Sequence, residues 1–528
     1  NHCQFLSLWS VYLPAQQGTL QTFTLARMLM LAAEQYTYQR HRPEQTLLYQ
    51  LVEKHYPAFA EMMQSQGKAL PYHVIKEFEE FLKCGRLEHG FLRIVCDDCK
   101  HEKLVAFSCK RRGFCPSCGA RRMAESAKLL VDDVLQGYPV RQWVLSLPIP
   151  LRLLLARYPK ELSNVLQIVH RAISTDIIHR SGYLKKQAKT GAVTYIQRFG
   201  SALNLNIHFH MLFLEGVITQ EHGKMTFKRV KAPSHSNMEA LVNTISQRIA
   251  QYLEKAGLIQ RDIDNTYLDL PINDEDSLLP LQAASVSYRI AVGADTGKKV
   301  FTLQTMQAKD PDHLGQLAKI AGFSLHAGVF ADADQPEKLE RLCRYIARPA
   351  ISEKRLSLTT TGNVRYELKT PYSNGTTHVF FSPIDFISKL AALVPPPRLN
   401  LTRFYGVFAP NANVRAEVTA SQRGKNSPRL AEHLKDSDKP YQARSMSWAQ
   451  RLKRVFNIDI TICEACTKAN VKIIACITEP AVIQKILWHL DKQDSPITAN
   501  SCRAPPLIES KQITTDDYVI QRDFNFGA

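Results

Sequence analysis

Two histidines one residue apart, His208 and His210, lie in the apolar run from Asn206 to Leu214. Side chains alternate along a strand, so both imidazoles share one face while Phe209, Met211 and Phe213 take the other. Side by side on a rigid strand, the two rings could hold a divalent metal. The plain alternative is a pair of histidines hydrogen-bonded within a sheet. With 17 histidines in 528 residues, chance alone supplies roughly 0.5 such pairs. A metal in this position invites a phosphodiester, whose non-bridging oxygen it polarises and whose transition-state charge it stabilises. A covalent route then needs a nucleophile, and tyrosine can serve. Among 19 tyrosines the segment Glu337–Arg348 singles out Tyr345, with Arg341 four residues before, Arg348 three residues after and Arg344 adjacent. The helically spaced arginines share its face and would draw a phosphate towards it. A surface tyrosine on a basic helix is the competing description.

The cysteines carry a second chemistry. Twelve cysteines would give only about 0.3 pairs at any one separation by chance, yet Cys96/Cys99, Cys115/Cys118 and Cys463/Cys466 are all Cys-x-x-Cys. In a chain without export signals such pairs indicate metal or redox use before disulfides. The first two have the spacing of a structural zinc ribbon, in which Cys96, Cys99, Cys115 and Cys118 would close a tetrahedron around Zn²⁺ and leave no open position for catalysis. Cys84, Cys109 and His89 could replace one ligand, although buried thiols and a surface histidine describe them equally. Lys110, Arg111, Arg112, Arg121 and Arg122 frame the second knuckle. They suit phosphate contacts better than a merely solvated face, and so the module is expected to grip DNA. Cys463-Glu-Ala-Cys466 has no second knuckle beside it, and stands open between a partial ribbon and two buried thiols.

Composition is consistent with that chemistry. A net charge of +18 and a pI near 9.3 point to a polyanion, most commonly nucleic acid; an anionic membrane surface and plain solubility charge are the alternatives. The hydrophobic share of 45% fits a globular protein, and 528 residues should make two to four domains. No apolar run approaches the ~18 residues that span a bilayer, so a cytoplasmic, nucleoid-associated location is expected. The chain starts at Asn1, which makes residues 1–36 a candidate leader or truncated frame, with Met28 or Met30 as an alternative start.

The elements that must position these residues can be read from periodicity. Residues 37–82 read as helical. Met123–Leu135 is a helix ended by Gly137, Trp143–Leu147 a strand closed by Pro148 and Pro150, and Lys160–Arg180 a long helix. Strands over Ala192–Phe199 and Leu203–Val217 follow, then helices over 236–256 and 279–291. This order predicts an α+β fold, an antiparallel sheet with helices packed on one face. A loop-rich stretch leads to a helix over Pro336–Arg348 stopped by Pro349. Turns at Gly362-Asn363 and Asn374-Gly375 predict two hairpins. Pro395–Pro397 and 421–445 read as linkers, and the last thirty residues lack periodicity.

Taken together, Ala106–Lys110 and Gly113–Met123 around the cysteines, Ile196–Asn206 leading into His208-Phe-His210, and Arg344-Tyr-Ile-Ala-Arg-Pro349 resemble the transposases of the insertion-sequence-ninety-one (IS91) family. The similarity is closest to those of common-region elements, which carry one tyrosine, and covers roughly residues 37 to 493. The resemblance implies an HUH-type (His-hydrophobe-His) nuclease sheet preceded by a helical segment and a zinc ribbon. It implies that His208 and His210 bind Mg²⁺ or Mn²⁺, and that Tyr345 attacks single-stranded element ends. A 5′-phosphotyrosine would form, followed by rolling-circle-type strand transfer to target DNA. Arg341, Arg344 and Arg348 would contact that DNA. Where two-tyrosine relatives place a second tyrosine this chain has Pro349, so a second cleavage needs a released Tyr345, another attacking group, or a second protomer in a homodimer. Gln197 and His326 are candidates for a third metal ligand. The expected organisation is a leader (1–36), a helical and zinc-binding domain (37–122), a catalytic domain (123–415), a linker (416–445), a cysteine-containing module (446–493) and a tail (494–528). A non-catalytic zinc-dependent DNA-binding protein and a replication-initiation nickase of the same chemistry remain the alternatives.

Overall fold

A computed structural model describes residues 42–261, 266–269, 276–306, 317–423 and 462–493. The expected leader, the tail and most of the linker lie outside the described residues. The helical start is formed by α1 (Leu47–Ser65) and α2 (Tyr72–Lys83). Thr46 caps α1 by accepting from the Tyr49 amide at 3.3 Å, which satisfies one of the free donors of the first turn. Phe59 and Phe78, buried on the two helices, join them to the main core. A hairpin follows, β1 (Phe91–Cys96) and β2 (Glu102–Ala106), and then α3 (Pro116–Lys128), which starts immediately after Cys115 and continues as a π-helical turn over Leu129–Val134.

The centre is a six-stranded sheet. Its members are β3 (Val140–Ser146), β4 (Gly191–Phe199), β5 (Leu205–Leu214), β6 (Leu317–Ile320), β7 (Phe323–Ala331) and β8 (Thr402–Gly406), in the order β6-β7-β3-β5-β4-β8. Every neighbouring pair is antiparallel. Between these strands run α4 (Pro159–Arg180), α5 (His235–Lys255), α6 (Pro336–Ile346) and α7 (Pro383–Leu393). Near the chain's end come β9 (Val471–Ile477) and α8 (Pro480–Gln493).

Helices cover both faces of the sheet, which corrects the expected one-sided packing. One face sends Trp143, Leu145, Phe209, Met211 and Phe213 into the main core with α4, α5 and α7. The other packs Val140, Val193, Tyr195, Leu212 and Leu214 against the π turn and against Leu339, Leu342 and Ile346 of α6. The physical reason is visible in β5, which is buried at every position. A strand with no solvated face needs cover on both sides.

Two further differences have local causes. The expected strand over Leu203–Val217 ends at Leu214, because Glu215 turns inward to a buried ion pair with Arg141 at 2.5 Å. The chain then starts a separate strand, Gly216–Glu221, in another sheet. The stretch read as loop-rich contains β6 and β7. In β7 the alternation is broken by Gly328, where a Cβ would lie 2.7 Å from the His326 ring, and that gap hid the strand's period. The two expected hairpins are present, joining Leu356–Leu358 to Val364–Glu367 and the latter to Thr376–Phe381. Among the described residues no helix is long and apolar enough to cross a membrane.

Candidate functional site

The histidine pair sits on the central strand of the sheet, on the face covered by α6. Its Nε2 atoms approach to 3.1 Å, and both rings are fully buried. The Nδ1 of His208 faces the Asn206 carbonyl oxygen at 3.0 Å, so it carries the proton and leaves Nε2 as a lone pair. The Nδ1 of His210 meets the side-chain amide of Gln142 at 2.7 Å. With the amide nitrogen placed there, His210 accepts at Nδ1 and donates from Nε2 to His208. With the amide turned over, its oxygen accepts from Nδ1–H and both Nε2 lone pairs face the same point. Burial lowers the pKa of His208 to about 3, opposed by the Asn206 bond and reinforced by the charges of Arg348 and Arg152. Burial, then the neighbouring His208 and Arg348, hold His210 well below its ordinary value. Both rings are therefore neutral at physiological pH, the form in which imidazole binds metal.

The donor set fits a divalent ion at these two nitrogens. Gln197 stands directly across from His208 in the β4–β5 ladder. Its Nε2 donates to the Ile346 carbonyl at 3.1 Å, while its Oε1 is buried without a hydrogen-bond partner among the described residues. A buried acceptor in that state normally has an occupant to satisfy it. His326, the other candidate, pairs with Val144, which in turn pairs with His210. It is thus two strands away, roughly 10 Å at the usual spacing, and is not placed to share an ion. Its ring instead accepts from the Gly328 amide at 3.1 Å.

Helix α6 brings Tyr345 to the same place. Its ring stands edge-on to His210, with centroids 6.3 Å apart and planes at 86°. Pro336 starts the helix, and Leu339, Leu342, Cys343 and Ile346 form the buried stripe that fixes its rotation. The bond from Gln197 to the Ile346 carbonyl ties the end of that helix to β4. Of the three arginines expected around the phenol, Arg348 meets it. The Arg348 guanidinium lies 4.4 Å from the ring centroid, and its Nη1 donates to the Tyr345 carbonyl at 3.0 Å. Arg344 pairs with Glu340 at 2.5 Å and Arg341 with Glu337 at 3.8 Å, each one turn back along the same helix. The second cation at the ring is Lys369, 4.5 Å from the centroid. It follows the strand Val364–Glu367, and no spacing in the sequence connects it with residue 345. Gln142 was likewise missed, because a single glutamine in an apolar strand carries no signal until its partner is known.

The cysteines form two clusters, not one, which corrects the expected grouping. Cys84, Cys109, Cys115 and Cys118 converge in the first; Cys96, Cys99, Cys463 and Cys466 converge in the second. The β1–β2 hairpin explains the separation. Cys96 and Cys99 occupy its tip, whereas Cys84 precedes β1 and Cys109 follows β2 at its open end, roughly 17 Å away for five residues of strand. His89 belongs to neither cluster. In the first, Sγ–Sγ distances of 3.7 Å (Cys84–Cys118), 3.4 Å (Cys109–Cys118) and 3.8 Å (Cys84–Cys115) match the ~3.8 Å edge of a tetrahedron with Zn–S bonds near 2.3 Å. The amides of Cys109 and Arg111 donate to Sγ of Cys84 and Cys109 at 3.3 and 3.5 Å, a charge-assisted arrangement that favours thiolates.

The basic residues beside this cluster hold defined positions. Arg122 donates to the carbonyls of Lys110 and Arg111 at 3.1 and 3.0 Å, Arg112 to that of Leu399 at 2.5 Å, and Arg121 pairs with Glu125 at 3.2 Å. Arg111, Arg112 and Arg122 line a cavity of about 110 Å³ that also reaches Gln197, Arg198 and Arg348. The cavity thus runs from Cys115 of the first cluster to Gln197, which stands opposite His208, and to Arg348, which lies over Tyr345. The contact is close: a Cβ on Gly119 of α3 would lie 2.7 Å from Cβ of Pro349.

Residues 51–147 match the family model Zn_Tnp_IS91, described as "Transposase zinc-binding domain". Residues 191–416, which include His208, His210 and Tyr345, match Y2_Tnp, described as "Putative transposase". No curated protein and no solved structure gives a significant match. The zinc-binding model spans all four cysteines of the first cluster, and structural zinc accords with their geometry.

Proposed function

We propose, from the premise that the chain is an IS91-like transposase, that it cuts single-stranded element ends with Tyr345 and transfers the strand by a rolling-circle route. The observation that carries this is the meeting of the tyrosine ring with His210 of the imidazole pair, at 6.3 Å between ring centroids, with Arg348 and Lys369 over the phenol ring. The Tyr345 oxygen attacks the scissile phosphorus, forming a Tyr–O–P bond while the P–O3′ bond breaks. The phenol proton is lost and the 3′ oxygen leaves to become a free hydroxyl. One phosphodiester replaces another, so the energy of the bond is kept for strand transfer.

His208 and His210 would hold Mg²⁺ or Mn²⁺ through Nε2, with Gln197 Oε1 as a third donor, and this HUH-type site would supply Lewis-acid polarisation of the phosphate. Nitrogen ligands favour Mn²⁺ over Mg²⁺, whose preference is for oxygen. Arg348 and Lys369 would orient the phosphate and offset its charge. Arg111, Arg112 and Arg122 would carry the strand along the wall between the zinc module and the sheet. Pro349 leaves one tyrosine nucleophile per chain at this position, so both ends of an element require Tyr345 to be released and reused or a second copy to act.

The test is covalent capture. A single-stranded oligonucleotide from an element end, incubated with the protein and Mn²⁺, should give an adduct resistant to denaturation, and Tyr345→Phe and His208→Ala should not. An adduct that survives Tyr345→Phe moves the nucleophile elsewhere. Binding without an adduct in any metal favours a DNA-binding protein. An adduct without transfer to a new target favours a replication nickase.

A further inference from the structure

The second cysteine cluster joins residues from opposite ends of the chain. Strand β9 pairs antiparallel with β1, with Phe91 opposite Ile477 and Cys96 opposite Val471. The segment preceding β9 therefore arrives at the tip of the β1–β2 hairpin. There Cys463 Sγ lies 3.4 Å from Cys99 Sγ, and Cys466 Sγ lies 3.6 Å from Cys96 Sγ. All four sulfurs fall within 4.8 Å of one another, again the scale of a zinc tetrathiolate, whose edge is about 3.8 Å.

The two halves are built alike. In the first, the Lys100 amide donates to the Cys96 carbonyl at 3.0 Å and the Cys96 amide to that of His101 at 2.9 Å. In the second, Thr467 donates to Cys463 at 2.9 Å and Cys463 to Lys468 at 2.9 Å. The residue after each second cysteine is left-handed, with φ of 62° at Lys100 and 58° at Thr467. Neither is glycine, so each turn holds a backbone conformation that costs about 1 kcal/mol or more. The sequences Cys-Asp-Asp-Cys-Lys and Cys-Glu-Ala-Cys-Thr share only their cysteines. Two unlike sequences adopting one strained turn, with all four sulfurs convergent, have a common cause in a shared ligand.

Charge and packing agree. Lys472 pairs with Asp97, Lys103 with Glu464, and Lys468 with Asp98 at 3.7 Å, so three ion pairs run between the two halves beside the cysteines. The apolar support is small: among the described residues Leu87, Phe91 and Ile483 are buried in a cluster of their own between the hairpin and α8, with Leu104, Ala106, Ile477, Ile486 and Leu487 partly buried against it. A core of that size does not hold a segment by itself, and natural small modules add a metal or cross-link.

We propose that Cys96, Cys99, Cys463 and Cys466 bind a second structural zinc ion, which clamps the C-terminal segment onto the N-terminal hairpin as its third strand. The ion takes no part in chemistry, because four thiolates close its coordination. The β1–β2 hairpin and the segment from Cys463 to α8 form one zinc-dependent lobe.

The test is made on the full chain by metal analysis and thiol footprinting. The wild type should contain two zinc ions per chain, and Cys463→Ser/Cys466→Ser one. In the zinc-loaded wild type, Cys99 should resist alkylation although its side chain is exposed, while the exposed Cys476 reacts and serves as control. Chelation should make Cys96, Cys99, Cys463 and Cys466 reactive together. One zinc in the wild type, two retained in the double variant, or free reaction of Cys99 and Cys466 in the zinc-loaded wild type would each overturn the clamp. The footprint needs no variant, so misfolding of a mutant cannot obscure it.

Discussion

Replacing Gln142 by leucine should weaken metal binding at the histidine pair while leaving the nucleophile in place. Gln142 is 2% exposed and sits 2.7 Å from His210 Nδ1. When His210 offers its Nε2 lone pair, Nδ1 must carry the proton, and the Gln142 oxygen is the acceptor that satisfies it. Leucine fills a similar volume and leaves a buried N–H with no acceptor. Such a loss costs about 1–3 kcal/mol, and a midpoint of about 2 kcal/mol corresponds to roughly thirtyfold at about 1.4 kcal/mol per decade. That falls within the range of 10–100-fold typical when a group that orients a metal-binding histidine is removed. Mn²⁺ binding followed by electron paramagnetic resonance should show the shift directly. Adduct formation plotted against Mn²⁺ should move to higher concentration by the same factor and reach the wild-type plateau. An unchanged Mn²⁺ affinity would refute the tautomer argument. A lowered plateau without a shift would show that Gln142 acts on the nucleophile instead.

Other sites give equally direct tests. His170 stacks between Phe213 and Tyr405 at 4.9 and 4.2 Å, and burial lowers its pKa to about 3. The unfolded chain, near pKa 6.5, therefore takes up a proton that the folded chain refuses. The stability contributed is complete above pH 6.5 and lost as pH falls towards 3, about 2 kcal/mol by pH 5. Urea titrations at pH 7.5 and pH 5 should show His170→Phe losing less stability than the wild type by about that amount, and an equal loss would contradict the assignment. Gly119→Val should cost about 1–3 kcal/mol in thermal unfolding and slow adduct formation, because its side chain must displace Pro349. A variant with normal stability would mean that α3 and α6 can part without cost.

How far the sequence could be read followed from how local each signal was. The histidines, Tyr345 and Arg348 were legible because strand alternation and helical spacing act within one element. Arg341 satisfied the same spacing and Arg344 was adjacent, but both had acids one turn back, Glu337 and Glu340, and those partners took them. The four-cysteine ribbon failed for a related reason. Spacing along the chain names pairs, but a hairpin of strand length stands between Cys96/Cys99 and Cys115/Cys118, and partners for each came from elsewhere. For the first pair they came from Cys463 and Cys466, some 364 residues distant at closest pairing. Lys369 and Gln142 belong to the same class: their roles depend on a neighbour brought by tertiary structure, and neither has a periodicity to announce it.

The first cluster also bears on the proposed nucleophile, Tyr345. Cys115 and Cys118 fix the start of α3, and Gly119 in its first turns receives Pro349 without room for a methyl group. Pro349 ends the segment that begins with Tyr345, and Gln197 holds the same segment from the other side through the Ile346 carbonyl. The phenol is therefore positioned between an element anchored by cysteines and a strand that faces His208. An ion at that cluster would do more than stabilise a remote module, since it would set one of the two walls against which Tyr345 is held. The basic residues Arg111, Arg112 and Arg122 hang from the same wall. On this geometry, the proposed grip on DNA and the proposed placing of Tyr345 as nucleophile would both follow from a single packing contact.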